Sequence, residues 1–294
     1  MLFRSLQRIL TSQPESPKND PFGGTRIPSG IIEDNPLNFE AGFGFYKLDE
    51  NRVLTTITVQ ADNQELSFHN SGGVQVASAN IVGRVMNVAG RRVNFFEDVV
   101  NTTATAEELI DAKSRKSAYQ KTIVLPPGHY KADLMVRDTN TGATGIRHLG
   151  FTVPKFGTDL AVSSMILCAV LKQTDDPTSR QFMIGDQKVI PNISGRFHRG
   201  SPVGLYLQIY NAGIDQTTLR PSVDVQYALL KDGKEVGKQT EDWRQTKMNG
   251  ERLTVARLFD SRSLVPGTYT LEVRVKDHVS GQTLLEKASF NLVP

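Results

Sequence analysis

The chain has 294 residues, and 34 lysines and arginines stand against 31 aspartates and glutamates, a formal net charge of +3. This length exceeds the usual size of a single hydrophobic core and predicts two domains. The weak charge, with no basic stripe between aromatic residues, excludes nucleic acid as an expected partner. The longest apolar run, 160–171, is shorter than the roughly 20 residues of a spanning helix, so no membrane span is predicted.

Residues 1–37 are predicted to form a flexible leader or linker. Arg4 and Arg8 interrupt the apolar residues of the first ten positions, so the continuous apolar core of a secretory signal is missing. The stretch that follows is rich in Pro, Ser, Asn and Gly, and it cannot bury enough apolar surface to order itself alone.

Short strands are predicted from position 39 onward. Residues 52–60 alternate apolar and polar side chains, which is the period of a half-buried strand. Residues 74–88 have the same character, and Ala89-Gly90 after them fits a hairpin turn because glycine tolerates a positive φ.

One helix is predicted, in the segment 103–116. Thr105 is followed three residues later by Glu108, the spacing of a capping box at a helix N-terminus. The helix belongs to the first half of the chain.

A repeated segment provides the strongest evidence for the fold. "LPPGHYKADLMVRDTNTG" (125–142) returns as "LVPGTYTLEVRVKDHVSG" (264–281). In both copies a tyrosine, Tyr130 or Tyr269, follows a Pro-Gly turn at the start of an alternating strand. This is the signature of a tyrosine corner in a Greek-key sandwich, where the hydroxyl bonds to nearby backbone.

The chain is therefore predicted to be all-β, with two tandem immunoglobulin-like or fibronectin-III-like sandwiches and one short helix in the first. Their predicted bounds are 38–154 and 155–294. Asp232-Gly233 is a hairpin signal equivalent to Ala89-Gly90. Residues 160–172 are predicted to open the second sandwich, although their period alone also allows a buried helix.

Several segments resemble the C-terminal half of GWxTD-domain proteins, chiefly from Acidobacteria. The segments are "FGFYKLDENRVLTTITVQADNQELSF", "ANIVGRVMNVAGRRVNFFEDVV", "YQKTIVLPPGHYKADLMVRDTNTG", "GDQKVIPNISGRF" and "GLYLQIYNAG". The resemblance covers roughly 39–294, but the Gly-Trp-x-Thr-Asp motif is absent and the one tryptophan, Trp243, lies in a different context. It implies an exported bacterial protein of which this chain is a C-terminal portion, and it supplies no catalytic residue.

The best metal candidate is a weak one, the pair Asp138 and Asn140, which begins like a calcium loop. Such a loop needs a carboxylate about 12 residues along, and Leu149 stands there. The second copy keeps Asp277 but has Val279 in place of Asn140. Turn chemistry explains what the copies share, so a structural turn is predicted, with neither metal nor cofactor.

Two further sets of residues are candidates for chemistry or binding. Cys168 lies in an apolar run and is predicted to be a buried, inert thiol; paired with a histidine it would be a nucleophile. Tyr206, Tyr210 and Tyr227 are strand tyrosines that would bind a glycan if one sheet face exposed them, whereas core packing or one tyrosine-rich cross-strand cluster is the expected alternative. The five histidines show no zinc-type spacing.

Three functions follow from these patterns. The leading hypothesis is a non-catalytic interaction or spacer module with a protein partner in the cell envelope. The second is a carbohydrate-binding module, and the weakest is an enzyme that uses Cys168. Sheet edges are where a partner strand adds to such a fold, although lysines and arginines near the hairpins Ala89–Arg92 and Lys231–Lys234 usually protect them.

Overall fold

The structure is a computed structural model that describes residues 36–174, 181–242 and 252–294. The predicted leader up to residue 35 and Trp243 lie outside these ranges. Leu37, the last residue of the predicted leader, is fully buried.

The described residues form twenty-one strands and little helix. In chain order the strands are β1 Glu40–Lys47, β2 Val53–Asp62, β3 His69–Ser71, β4 Val74–Asn87, β5 Arg92–Ala104, β6 Lys116–Leu125, β7 Gly128–Asp138, β8 Thr144–Val153, β9 Ala161–Val162, β10 Ile166–Gln173, β11 Met183–Ile184, β12 Gln187–Pro191, β13 Arg196–His198, β14 Val203–Tyr210, β15 Ile214–Asp215, β16 Arg220–Pro221, β17 Val223–Lys231, β18 Lys234–Asp242, β19 Arg252–Phe259, β20 Gly267–Asp277 and β21 Thr283–Val293. A 3₁₀ turn spans Asn63–Glu65, and α1 spans Leu109–Ser114. The predicted all-β sandwich class with one short α-helix is confirmed.

The chain divides into two compact units. The first holds the residues up to Phe39, Ala61–Ser117 and His129–Thr152, and the second holds Glu40–Gln60, Ala118–Gly128 and Val153–Pro294. The boundary between Thr152 and Val153 lies two residues before the predicted domain boundary between residues 154 and 155. The boundaries earlier in the chain have no counterpart in the prediction. Among the residues that the structure describes, no helix is long and apolar enough to span a membrane.

The first unit is built on one antiparallel sheet. Its strand order is β3-β4-β7-β8, and β5 also pairs with β4. The helix α1 is shorter than the predicted segment 103–116, but its predicted capping box forms: the Thr105 hydroxyl accepts a hydrogen bond from the Glu108 backbone N–H at 3.2 Å, and the Glu108 carboxylate accepts from the Thr105 backbone N–H at 3.2 Å.

The second unit contains a complete sandwich and one further sheet. The two sandwich sheets have the orders β11-β12-β10-β14-β19 and β13-β21-β20-β17-β18, and β9 pairs with β14. Alternating apolar residues of both sheets, such as Leu205, Val225 and Val273, fill the core between them. The further sheet has the order β1-β2-β6. Residues 166–173 of the ambiguous apolar run form a strand, not a helix.

The hairpins follow the predicted turn chemistry. Asp232 and Gly233 both adopt positive φ, at 51° and 76°, the conformation of a type I′ turn. Gly90 has a φ of 72° in the predicted turn between β4 and β5. The repeat is also visible in backbone contacts, since the N–H after each copy's aspartate, in Thr139 and His278, donates to a serine carbonyl.

Candidate functional sites

Asp138 and Asn140, the candidate metal pair, belong to a surface turn in which the Asp138 side chain is buried and Asn140 is exposed. The Asp138 carboxylate accepts hydrogen bonds from the backbone N–H groups of Ser67 at 2.7 Å, Asn140 at 2.7 Å and Thr141 at 3.3 Å. The Asn140 amide donates to the Ser67 carbonyl at 2.6 Å. These bonds engage the carboxylate oxygens that a cation would need. Within the described ranges, no three His, Cys, Asp or Glu side chains come close enough to hold a metal ion.

Asp277 makes the same turn in the second unit. Its carboxylate accepts from the backbone N–H groups of Val279 and Gly213, each at 2.9 Å, and from the Ser280 hydroxyl at 2.8 Å. The turn between β20 and β21 is thereby fastened to the loop after β14. The aspartate recurs in the repeat because each copy needs a buried acceptor at this place.

Tyr269 has the hydrogen bond of a tyrosine corner. Its hydroxyl donates to the Val265 carbonyl, four residues upstream, at 2.7 Å, and its ring stacks on Phe290 with 5.5 Å between centroids. Tyr130 stacks on Phe151 in the same way, with 5.6 Å between centroids. For Tyr130, the corner stays a prediction.

Removing the Tyr269 hydroxyl is expected to destabilise the protein. Tyr269→Phe leaves the Val265 carbonyl without this donor, which costs about 1 kcal/mol or somewhat more. The change is measured as a lower urea midpoint at an unchanged slope. Tyr130→Phe is expected to have a similar effect, and midpoints equal to that of the wild type would contradict the corner assignment.

The three tyrosines considered for glycan binding do not form an exposed face. Tyr206, Tyr210 and Tyr227 are 0%, 3% and 3% exposed. The exposed alternative is therefore wrong, and the core alternative holds. Tyr206 and Tyr210 are buried because β14 is covered on both faces: every one of its eight residues is buried, with the sandwich core on one side and a cluster that includes Tyr46 of β1, Ile184 of β11 and Val189 of β12 on the other. Tyr227, on β17, is part of the sandwich core itself.

Two of these tyrosines instead belong to a buried polar chain. The Tyr210 hydroxyl donates to the Gln208 side-chain carbonyl at 2.7 Å, and the Gln208 amide donates to the Tyr206 hydroxyl at 2.6 Å. The Tyr206 hydroxyl in turn donates a hydrogen bond to the Ile184 carbonyl at 3.4 Å. A chain of satisfied polar groups fixes three consecutive outward side chains of β14.

The edge strand β1 is attached to this chain. The Lys47 backbone N–H donates to the Tyr210 hydroxyl at 3.0 Å. Phe45 and Ser164 exchange two bonds: the Phe45 N–H donates to the Ser164 hydroxyl at 2.9 Å, and the Ser164 N–H donates to the Phe45 carbonyl at 3.1 Å. Three backbone groups of β1, the N–H groups of Phe45 and Lys47 and the carbonyl of Phe45, are thus paired within the second unit.

We call this assembly the tyrosine joint. It consists of Phe45, Tyr46 and Lys47 on β1 together with Ser164, Tyr206, Gln208 and Tyr210. Its apolar part is a cluster in which the Tyr46 ring meets the Tyr206 ring edge-on, 6.1 Å between centroids. Burial raises the pKa of Tyr206 to about 12, so its hydroxyl is neutral at physiological pH.

Cys168 lies in the same apolar cluster and is fully buried. Burial raises the pKa of its thiol to about 12, so the thiolate that a nucleophile requires does not form at neutral pH. The predicted inert thiol fits this setting, and the setting speaks against the enzyme hypothesis.

The native protein is expected to leave Cys168 unmodified by a disulfide reagent at pH 8. Once denaturant unfolds the apolar cluster, one thiol per chain should react with the reagent, because only burial keeps the reagent from Cys168. Reaction of the native protein at the rate of a free thiol would contradict the structure. The release of the chromophore from the reagent measures both states.

The histidines take part in separate surface contacts. His148 bonds to the buried Asp133 at 2.6 Å, beside Arg84 at 2.9 Å and Lys131 at 3.1 Å. Burial works to raise the pKa of Asp133, but the hydrogen bonds from His148, Arg84 and Lys131 outweigh it and hold the pKa below its usual value. Three of the others pair as His129 with Thr152, His198 with the Pro294 carbonyl and His278 with Asp224, and His69 is exposed.

The sequence analysis predicts neither the polar chain of the tyrosine joint nor its contacts with β1. The signal was present in "VGLYLQIY", where Tyr, Gln and Tyr share one face of a strand whose other face is Leu, Leu and Ile. A glutamine between two tyrosines on one face offers both a donor and an acceptor to their hydroxyls. What the pattern lacks is the identity of the covering strand, which lies about 160 positions earlier.

No protein-family model matches the chain, and a search of the curated proteins finds no relative.

Proposed function

We propose that the chain is a non-catalytic interaction or spacer module of an exported bacterial protein. The observation that carries the proposal is that the polar groups considered as candidates for chemistry are buried and serve the packing of the fold. The carboxylates, hydroxyls and thiol that chemistry would draw on, in Asp138, Asp277, Tyr206, Tyr210 and Cys168, are buried in turns and in the tyrosine joint. The exported bacterial context rests on the resemblance to GWxTD-domain proteins.

The strand β18 is the proposed site for a protein partner. Among the residues that the structure describes it ends its sheet, since it pairs with β17 and lies last in the strand order. Eight of its nine residues are exposed. A partner strand of an envelope protein that adds beside it would extend the sheet through main-chain hydrogen bonds. Lys234 and Lys238 limit indiscriminate pairing, as charged residues do on natural edges.

The experiment compares full-length protein with two matched variants. Val236 on β18 is 52% exposed, and Val279 in the β20–β21 turn is 51% exposed. Val236→Lys adds a charge to the edge, whereas Val279→Lys adds the same charge elsewhere. In pulldowns from an envelope fraction, we expect a partner that is lost with Val236→Lys and retained with Val279→Lys.

The other outcomes separate the alternatives. Equal capture by both variants would remove β18 as the interaction site, and capture of no protein by the wild type would favour a spacer. Turnover by the purified chain in a broad panel of hydrolase substrates would refute a non-catalytic role. A glycan array tests the carbohydrate-binding alternative, which the burial of the three tyrosines leaves without its expected binding face.

A further inference from the structure

A cavity of about 210 Å³ lies between the two sheets of the second sandwich, beside β18. Its lining is largely apolar and aromatic and includes Tyr227, Leu229, Phe259, Leu264, Leu271 and Phe290. Three of these side chains, from Leu229, Phe259 and Leu264, are only partly buried although they pack against the core. The sandwich is therefore incompletely closed along this side.

The opening has an identifiable cause in the sequence, which is Gly237. In the register of β17 and β18, Gly237 is opposite Leu229 and Gln239 is opposite Tyr227. Opposite residues of an antiparallel pair share a face, so Gly237 lies on the side of the sheet that faces the core. A Cβ added at Gly237 would meet no atom within 4 Å. A residue with a side chain at position 237 would cover the cavity on the side of β18, whereas glycine leaves this side open.

The polar groups next to Tyr227 on this side of the sandwich bond to one another. The Tyr227 hydroxyl donates to Glu241 at 3.2 Å, and the Arg257 Nε donates to Glu241 at 2.8 Å. Burial and the neighbouring Glu241 raise the pKa of Tyr227, so its hydroxyl stays neutral. This end of the cavity presents an aromatic ring and leaves no open charge for a ligand.

The charged residues at the rim are paired as well. Asp260 accepts from the Arg262 guanidinium at 2.9 and 2.7 Å. Lys238 is an exposed side chain with its ammonium 3.8 Å from Glu235. Because each charge has a partner of opposite sign, the mouth favours neither an anion nor a cation, and a charged ligand would lose its hydration without gaining a counter-charge.

The size of the cavity limits its occupant. An apolar cavity of about 150 Å³ stays dry and accepts benzene, which has six carbon atoms. In proportion, the cavity of about 210 Å³ beside β18 holds roughly eight carbon atoms. We infer that the cavity is a binding site for a small, neutral, apolar molecule of about that size, a ring or a branched alkyl group, which enters beside Gly237. This inference goes beyond the proposed role of β18 as a protein-binding edge.

The ligand class is tested with two probes of eight carbons each. Full-length protein is titrated with p-xylene, which is neutral, and with p-toluate, which carries a carboxylate, while the methyl signals of Leu229 and Leu271 are followed by NMR. Saturable shifts are expected with p-xylene, and binding of p-toluate should be at least about tenfold weaker. The absence of saturable shifts with p-xylene, or equal affinity for the two probes, would overturn the inference.

The entry route beside Gly237 is tested with a variant that blocks the gap and a control variant that makes the same substitution elsewhere. Gly237→Ile places a branched side chain in the gap, and Gly150→Ile makes the same change on β8, where an added Cβ also meets no atom within 4 Å. Both glycines are exposed strand residues without a positive φ, so both variants should fold and melt like the wild type or slightly higher.

Binding of p-xylene should weaken at least about tenfold in Gly237→Ile and stay unchanged in Gly150→Ile. Equal binding by the two variants would overturn the assignment of the mouth to Gly237. The comparison of the two probes on the wild type does not depend on either variant, so it tests the site even if Gly237→Ile impairs folding.

Discussion

Replacing Asp277 with alanine is expected to lower the free energy of unfolding by about 3 to 5 kcal/mol. The carboxylate is fully buried and receives three hydrogen bonds, two of them from backbone N–H groups of Gly213 and Val279. Alanine leaves these two partly buried donors without an acceptor, and an unsatisfied group of this kind costs about 1 to 3 kcal/mol. Ser280 loses its acceptor too, although a hydroxyl can rotate toward another partner.

Two variants bracket this measurement. Asp277→Asn keeps the size of the side chain and one acceptor oxygen, so it should be less harmful than alanine. Asp260→Ala removes an exposed carboxylate whose partner is Arg262 and should change the urea midpoint little. Equal midpoints for Asp277→Ala and Asp260→Ala would show that the turn does not depend on the buried carboxylate.

The same residue predicts how stability depends on pH. Burial works to raise the pKa of Asp277, but hydrogen bonds from Ser280, Val279 and Gly213 outweigh burial and hold the pKa below its usual value. A folded-state pKa below that of the unfolded chain, about 3.9, adds stability above pH 4 that is lost as the pH falls through the folded value. Urea midpoints between pH 7 and pH 2 should fall less steeply for Asp277→Asn than for the wild type.

Short sequence patterns predicted the parts of the fold that depend on local chemistry. The turns at Asp232-Gly233 and Gly90, the capping box at Thr105 and the strand after Tyr269 all formed where the sequence placed them. In each case the relevant contact lies within a few residues, so the sequence pattern contains both partners. The structural turn at Asp138 was expected for the same reason.

The parts that the sequence did not predict depend on distant contacts. The face of β14 that carries Tyr206 and Tyr210 has the composition of an amphipathic surface, and the packing of Tyr46 of β1, Ile184 of β11 and Val189 of β12 makes that face interior. The cavity beside β18 has a similar origin, because Gly237 is one of several strand glycines and its effect depends on the residue opposite. The division of the chain into units that interleave along the sequence also follows from such packing.

The tyrosine joint leads to the second large expected effect. Gln208→Leu removes the side chain that accepts from Tyr210 and donates to Tyr206, and it should cost about 2 to 4 kcal/mol. Its nearly equal volume limits any cavity, so the loss measures the polar contacts. Gln226→Leu is the matched control, since Gln226 bonds to Thr240 at the surface and its replacement should change stability by less than about 0.5 kcal/mol.

A double-mutant cycle tests whether the joint acts as one network. Tyr210→Phe alone leaves both the Lys47 N–H and the Gln208 carbonyl without their partner, so it should be as harmful as Gln208→Leu. Combined with Gln208→Leu, the second change removes a contact that is already lost. The double variant should therefore be more stable than the sum of the two single effects predicts, by about 0.5 to 3 kcal/mol.

Amide hydrogen exchange tests whether the coupling within the tyrosine joint stabilises β1. In the Gln208→Leu variant, amides of β1 such as those of Phe45 and Lys47 should exchange faster than in Gln226→Leu, because they donate to groups of the joint. Additive mutations with unchanged exchange on β1 would mean that β2 alone holds β1 in place. Coupled mutations with faster exchange would establish β1 as a structural part of the second unit, held there by three side chains of β14.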